Sequence, residues 1–205
     1  MDIEKLKTIF GKNFLGPNEL NKFLNLLGLD PVSESVPELN LEEEILIKLS
    51  DNYLLILGPP EKKITISFLR SWAESQSKFS VNFYNQDWYL NEEFYFKELE
   101  FKWYLIKKNP VDSFNGKEPK DIILNEGYHL PSATLAAFTF FLYFVNFEIH
   151  LWKDHFIWCS DFDLNGDQIY VGRYFDPVGN NKPGFSIHRY LKLTNIYRAI
   201  NIIEI

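Results

Sequence analysis

An α+β fold is predicted by three features of this 205-residue sequence. Residues 130–147 form one uncharged, aromatic run of helical length. Two apolar stretches flank Asn165-Gly166, and this dipeptide is the strongest short signal for a β-hairpin because both residues accept a positive φ. Shorter amphipathic stretches fill the N-terminal third. Long helix, hairpin and scattered short elements together indicate helices and sheets in one mixed fold.

The run 130–147 is predicted to be a central helix buried in the core. Its apolar residues occupy every helical face, and a helix of that kind is surrounded by protein or by lipid. Ser132 precedes the run and is a suitable N-cap. The run barely reaches the length of a membrane span, and Glu126 and Glu148 flank it instead of basic residues. We therefore expect a core helix and no membrane partner.

The other elements follow from periodicity and turn residues. Helices are predicted over 2–10, from 16–18 to 27 with Gly28 as a left-handed cap, over 41–49 and over 64–74. Strands are predicted over 53–57, 100–108, 156–159, 169–174 and 185–190, and 194–203 fits either a strand or a helix. Residues 176–184 are rich in Pro, Gly and Asn and indicate a loop. We divide the chain into an N-terminal helical and strand extension, 1–77, and a C-terminal domain, 78–205.

The C-terminal part carries a family resemblance. Gly127-Tyr128-His129-Leu130-Pro131-Ser132 is similar to the G-(Y/W)-R-L-P-T signature that precedes a helix in C-type-lectin-like domains. Trp158-Cys159-Ser160 matches the W-(S/C)-S strand that follows, and Tyr197-Arg198-Ala199-Ile200 stands where a final strand ends near Arg. The likeness covers about the last 80 residues and resembles the branch of formylglycine-generating enzymes and bacterial lectin-like repeats.

This resemblance implies a lectin-like mixed domain, a bacterial source and binding through loops and strands at one end. It does not imply catalysis, because the oxidase members use two cysteines and this chain has only Cys159. His155, Cys159 and Asp161 share a strand face and could form a nucleophile group. A cysteine inside a buried strand is, however, usually an inert apolar residue, and we favour that interpretation.

Composition limits the partners. The net charge of −7 and the pI of about 5.2 argue against nucleic-acid binding, which needs a basic surface. A single cysteine excludes an intrachain disulfide framework, and the N-terminus has no secretory pattern. We therefore expect a cytoplasmic protein, and its oligomeric state is open.

A calcium site is one hypothesis for the hairpin turn. Oxygen-bearing side chains alternate there with a glycine at the sixth position, as in a calcium loop: Asp161, Asp163, Asn165 and Asp167. An EF-hand is excluded, because Gly172 holds its twelfth position and a strand follows. The favoured alternative is a turn whose Asp side chains accept hydrogen bonds from local backbone N–H groups. No other cofactor is expected.

Aromatic residues supply the predicted ligand-binding set. Its members are Trp88, Tyr89, Tyr170, Tyr174 and His188. Exposed Trp and Tyr side chains give a large contact area at low entropic cost. The alternative is that these rings fill a large core.

The function predicted from these patterns is a non-enzymatic binding module that recognises a protein or a small molecule through its C-terminal loops. One alternative is an enzyme that uses Asp161, Asp163 and His188. Another is a structural subunit of an assembly. A pocket with perturbed titratable groups would favour the enzyme, and a large apolar surface would favour the subunit.

Overall fold

The α+β class is confirmed by the computed structural model, which describes residues 2–33, 35–60, 64–76, 80–175, 184–189, 197–203 and 205. Its helices are α1 (Ile3–Phe10), α2 (Pro17–Leu27), α3 (Glu43–Ser50), α4 (Ile66–Ser75) and α5 (Ala133–Phe147). Its strands are β1 (Phe14–Leu15), β2 (Tyr53–Leu57), β3 (Trp103–Lys107), β4 (Tyr128–His129), β5 (Phe156–Phe162), β6 (Gln168–Gly172), β7 (Ser186–His188), β8 (Tyr197–Arg198) and β9 (Ile202–Ile203).

The first sheet contains strands from both predicted segments, in the order β1-β2-β3-β9-β4. Strands β1 and β2 are parallel, and the other pairs are antiparallel, with Leu55 opposite Leu105 at the centre. One hydrophobic core also continues from the first segment, with Leu20, to the second, with Phe138. Residues 1–77 therefore pack on the C-terminal segment and complete its sheet and core.

The second sheet has the order β7-β6-β5-β8 and contains the predicted hairpin. Strands β5 and β6 are antiparallel, with Ile157 opposite Val171, and their turn includes Asn165-Gly166. Strand β6 ends two residues earlier than predicted, because Gly172 and Arg173 adopt φ values of 120° and 48° that turn the chain away. The hairpin is confirmed, but its turn is not a tight primed one, because Gly166 has a positive φ of 83° and Asn165 does not.

Helix α5 lies at the centre, as predicted. Every residue from Ala133 to Phe144 is buried, and the helix contacts α2, α4 and strands β5 and β6. The Ser132 hydroxyl caps the helix by accepting a hydrogen bond from the Leu135 N–H at 3.1 Å. Within the described ranges, no helix is both long and apolar enough to cross a membrane.

The shorter helices and strands form close to their predicted bounds where the structure describes them. Helix α2 ends as expected, with Gly28 at a φ of 72° and its N–H directed to the Leu24 and Asn25 carbonyls. Of the ambiguous stretch 194–203, the described residues 197–203 contain two short strands, with β8 in the second sheet and β9 in the first. The predicted loop 176–184 lies outside the described residues except for Gly184, as do 190–196.

Replacing Ser132 by Ala tests the cap of the central helix. The substitution leaves the Leu135 N–H without its acceptor, so we expect the free energy of unfolding to fall by about 1 kcal/mol. Urea unfolding measures this change. Ser160→Ala is the control, because Ser160 is an exposed serine that caps no helix, and an equal loss in both variants would contradict the assigned role.

Candidate functional site

The segments that contain Pro131 and Ser160 lie against each other. The Ser160 N–H donates a hydrogen bond to the Pro131 carbonyl at 2.9 Å. One oxygen of the next residue, Asp161, accepts from the Ala133 N–H at 2.6 Å. Its other oxygen accepts from the Lys97 ammonium at 2.7 Å. The buried Asp161 carboxylate therefore satisfies the first turn of α5, where negative charge is stabilised by the helix dipole.

The Asp163 carboxylate organises the hairpin turn. A single oxygen, Oδ1, accepts from the Asn165 and Asp167 N–H groups, each at 2.8 Å. The other oxygen lies 3.3 Å from the Arg189 guanidinium. Backbone bonds between Asp163 and Asp167 and between Gly166 and Asp163 close the turn. The buried Glu92 side chain accepts from the Leu164 N–H at 2.9 Å and ties the turn to the neighbouring segment.

The four predicted calcium ligands do not converge on one point. Asp161 faces the start of α5 and Asp163 faces its own turn, and each carboxylate contacts a cation of the chain. Asn165 is exposed, and its amide nitrogen is 3.4 Å from Asp163. In the part of the chain that the structure describes, no three His, Cys, Asp or Glu side chains form a group that could hold a metal ion. The geometry is that of the self-capped turn, and calcium binding stays a prediction.

Burial raises the pKa of the Asp163 carboxyl, but the Asp167 and Asn165 N–H groups and the Arg189 guanidinium outweigh it and hold the pKa below its ordinary value. A carboxyl with a lowered pKa in the folded state stabilises the fold when it is charged. That stabilisation is complete above the ordinary pKa of an Asp, about 4, and is lost as the pH falls through the folded pKa.

The role of Asp163 can be tested by substitution. Asp163→Ala leaves two backbone N–H groups without their acceptor, so we expect a loss of about 2 kcal/mol in unfolding free energy at pH 7. The matched control is Asp167→Ala, which removes a carboxylate from the same turn and keeps its backbone bonds. Urea unfolding at pH 7 and pH 3 measures this loss. The difference in unfolding free energy between wild type and Asp163→Ala should be smaller at pH 3 than at pH 7. Equal losses in the two variants would be the contrary result.

Three members of the predicted ligand-binding set lie in the core. Tyr89, Tyr170 and Tyr174 are buried, and this favours the core-filling alternative for them. The Tyr89 hydroxyl lies 3.2 Å from the buried Arg70 guanidinium, and the Tyr174 hydroxyl donates to the Ser80 carbonyl. Tyr170 packs its ring against Phe156, Trp158 and Tyr197.

The two other members, Trp88 and His188, keep partial exposure. Trp88 donates from its indole nitrogen to the Ile187 carbonyl at 3.3 Å. The Arg189 guanidinium lies 5.2 Å from the centre of the Trp88 ring and also contacts Asp163. Arg189 therefore connects the indole to the hairpin turn. Ligand binding by Trp88, His188 or the buried tyrosines stays a prediction.

His188 is packed between aromatic rings. Its ring is stacked on Tyr170 at 5.5 Å and meets Phe156 edge-on at 5.0 Å. Burial, and then the positive charge of Arg173, lowers the pKa of His188 to about 4. The folded protein therefore holds a neutral imidazole where the unfolded chain takes up a proton. Its stabilisation is complete above pH 6.5 and is lost as the pH falls toward 4.

His188→Gln removes this titration. Between pH 7 and pH 4 we expect wild type to lose at most about 3 kcal/mol of unfolding free energy through His188, because each pKa unit corresponds to about 1.4 kcal/mol. The variant should start less stable and lose less over this interval. Denaturant unfolding at several pH values measures both slopes. If the unfolding free energies of wild type and variant fell in parallel with pH, His188 would not contribute to the loss of stability in acid.

Cys159 has the features of an inert core residue. Burial, and then the negative charge of Asp161, raises the pKa of the Cys159 thiol well above its ordinary value. The thiolate is the reactive form of cysteine, so this position suppresses nucleophilic chemistry. Asp161 is also engaged with the start of α5. The packing therefore favours the inert interpretation of Cys159.

Two clefts were missed by the sequence analysis. The first, of about 390 Å³, is lined by Tyr53, Lys107 and Tyr128 among others. The second, of about 330 Å³, is formed by residues 108–110 and 149–155 with Tyr143. The second cleft contains His150 and His155. Their spacing in an irregular segment matches no motif, and only the fold brings Lys108 beside them, so no sequence signal indicates this cleft.

Comparison of the chain with protein-family models, curated proteins and solved structures gives no match. Function therefore has to be inferred from the geometry of this chain.

Proposed function

We propose that the protein is a binding module that contacts a protein partner through the tip of the β5–β6 hairpin. The observation that carries this proposal is the exposure of two large apolar side chains there. Phe162 is 56 % exposed and Leu164 is 74 % exposed. Large apolar residues at the centre of an interface supply much of its binding energy once water is removed from them.

The turn is suited to this role because its backbone is held in place. Asp163 accepts hydrogen bonds from two backbone N–H groups of the turn, and Glu92 accepts one from Leu164. A side chain displayed on a fixed backbone loses less conformational entropy on binding than one on a mobile loop. Asp163 thus supports binding by shaping the turn, and it needs no contact with the partner.

The surroundings of Phe162 resemble an interface in composition. A shallow cleft of about 200 Å³ lies between Phe162 and the segment Glu118–Lys120, and Asp167 and Gln168 complete its wall. An apolar centre with charged residues at its edge is the usual anatomy of a non-obligate interface. The lectin-like resemblance adds support, because it implies recognition through loops and strands at one end.

The experiment uses the whole chain immobilised in three forms: wild type, Phe162→Ser with Leu164→Ser, and Ile45→Ser with Ile47→Ser as the control. The control pair is also exposed and apolar but lies on α3. We expect some proteins to be retained by wild type and by the control but not by the hairpin variant. For the purified partner, we expect the hairpin variant to bind at least about tenfold more weakly in calorimetry.

Two outcomes would contradict the proposal. In the first, wild type retains no protein beyond what the hairpin variant retains. In the second, the α3 variant loses the partner to the same extent, so that general surface hydrophobicity accounts for the capture. Circular dichroism of all three forms verifies that the exposed substitutions leave the fold unchanged.

A further inference from the structure

We propose that the cleft formed by residues 108–110 and 149–155 binds a small anion that carries a phosphate group. This site shares no residue with the hairpin tip, and the proposal does not depend on the function proposed above. Its volume of about 330 Å³ lies at the lower end of the range for small-molecule sites. Chemistry-bearing side chains line it: Lys108, Lys153, His150, His155 and Asp154.

Positive charge is concentrated at this cleft although the protein as a whole is acidic. Two lysines and one carboxylate, Asp154, line it, whereas the whole chain has a net charge of −7. Two more cations lie close enough to act on His155, namely Arg198 and Arg173. A concave surface with one sign of charge raises the local concentration of an oppositely charged ligand. The cleft therefore favours an anion.

The two lysines differ in how firmly they are held. The Lys108 ammonium donates to the Asn13 side-chain oxygen at 2.9 Å and lies 5.4 Å from the centre of the Tyr143 ring. Lys153 is exposed, and among the described residues it forms no ion pair. A fixed cation in the wall and a second cation at the edge can contact different oxygens of one phosphate.

The histidines supply hydrogen-bond donors. Burial, and then the Lys153 charge, lowers the pKa of His150. Burial, and then the Arg198 charge, lowers the pKa of His155. Both imidazoles are therefore neutral at pH 7, and a neutral imidazole carries one N–H donor and one acceptor. The His150 Nε2 is buried and has no hydrogen-bond partner among the described residues, and its ring is stacked on Tyr174 at 4.3 Å. The His150 imidazole therefore belongs to the floor of the cleft, and His155 is the more accessible of the two.

The backbone around the cleft is held in an unusual conformation. Three non-glycine residues have a positive φ in the described ranges, Glu148, Trp152 and Arg173. Trp152, at 52°, is fixed by its indole donor to the Lys108 carbonyl, and its own carbonyl accepts from the His155 and Arg173 N–H groups. Each such residue costs about 1 kcal/mol or more, and such strain is concentrated at functional sites. The fixed backbone keeps the cleft open in one shape.

Phosphate fits these groups better than other anions do. In the described part of the chain, the cations that line the cleft are Lys108 and Lys153, and no arginine lines it. Lysine ammoniums act as point charges that match a compact dianion, whereas planar carboxylates are favoured by the paired N–H groups of arginine. A long polyanion is disfavoured by the overall negative charge. The ligand class is therefore a small phosphate monoester.

The test titrates the full chain with inorganic phosphate and with phenyl phosphate, using calorimetry and the imidazole resonances in NMR. Saturable binding that moves the His150 and His155 signals and not those of His129 is expected. Lys153→Met should weaken binding about tenfold, and Asp154→Asn should strengthen it about threefold by removing a repulsive charge. Lys48→Met, which removes an exposed charge on α3, should change it less than twofold.

The proposal is overturned if phosphate causes no saturable shift at either histidine. It is also overturned if Lys48→Met weakens binding as much as Lys153→Met does, since the effect is then one of net charge. Tighter binding of succinate than of either phosphate probe would also overturn the proposal, because the cleft would then be a carboxylate site. Lys153 and Asp154 are exposed, so their variants should fold, and melting curves verify this.

Discussion

The burial of α5 is the constraint on which the rest of the structure depends. A helix with apolar side chains on every face must be covered all round, because each exposed face would leave large aromatic surface in water. The second sheet covers one side through β5 and β6, and the N-terminal helices α2 and α4 cover another. Phe138, for example, packs its ring 5.9 Å from Phe23 of α2. The N-terminal helices therefore complete the hydrophobic core around α5.

The same constraint explains how the hairpin turn uses its carboxylates. The buried start of α5 needs acceptors for its free N–H groups, and Asp161 supplies one because β5 runs directly beside Pro131. Two residues later, Asp163 lies on the same face of the strand and accepts from its own turn. With both carboxylates directed inward, the alternating residues Phe162 and Leu164 point to solvent. The polar pattern of the turn thus determines which apolar residues are displayed.

The aromatic content of the chain serves packing more than recognition. A second cluster on the outer side of β5 and β6 joins Phe156, Trp158, Tyr170 and Tyr197. His188 extends this cluster as a neutral ring, and the lowered pKa is the consequence of its place there. By contrast, the cleft near residues 149–155 combines charge with space. The sequence suggested its His155 only as part of a nucleophile group with Cys159 and Asp161. Burial of a titratable group and access to a ligand are separate properties, and the cleft near residues 149–155 has both.

The sequence by itself determined the elements whose causes are local. The Ser132 cap, the Gly28 termination, the Asn165-Gly166 turn and strand β2 each depend on residues a few positions apart, so pattern and turn chemistry are sufficient. The carboxylate-capped turn was also among the alternatives that the spacing of Asp163 allowed. Only the tertiary structure decided that β9 lies between β3 and β4, that Tyr170 is buried while Phe162 is exposed, and that Lys108 meets His150. Alternation along a strand shows that two faces differ but not which face another element will cover, and contacts between residues far apart in the chain leave no local pattern.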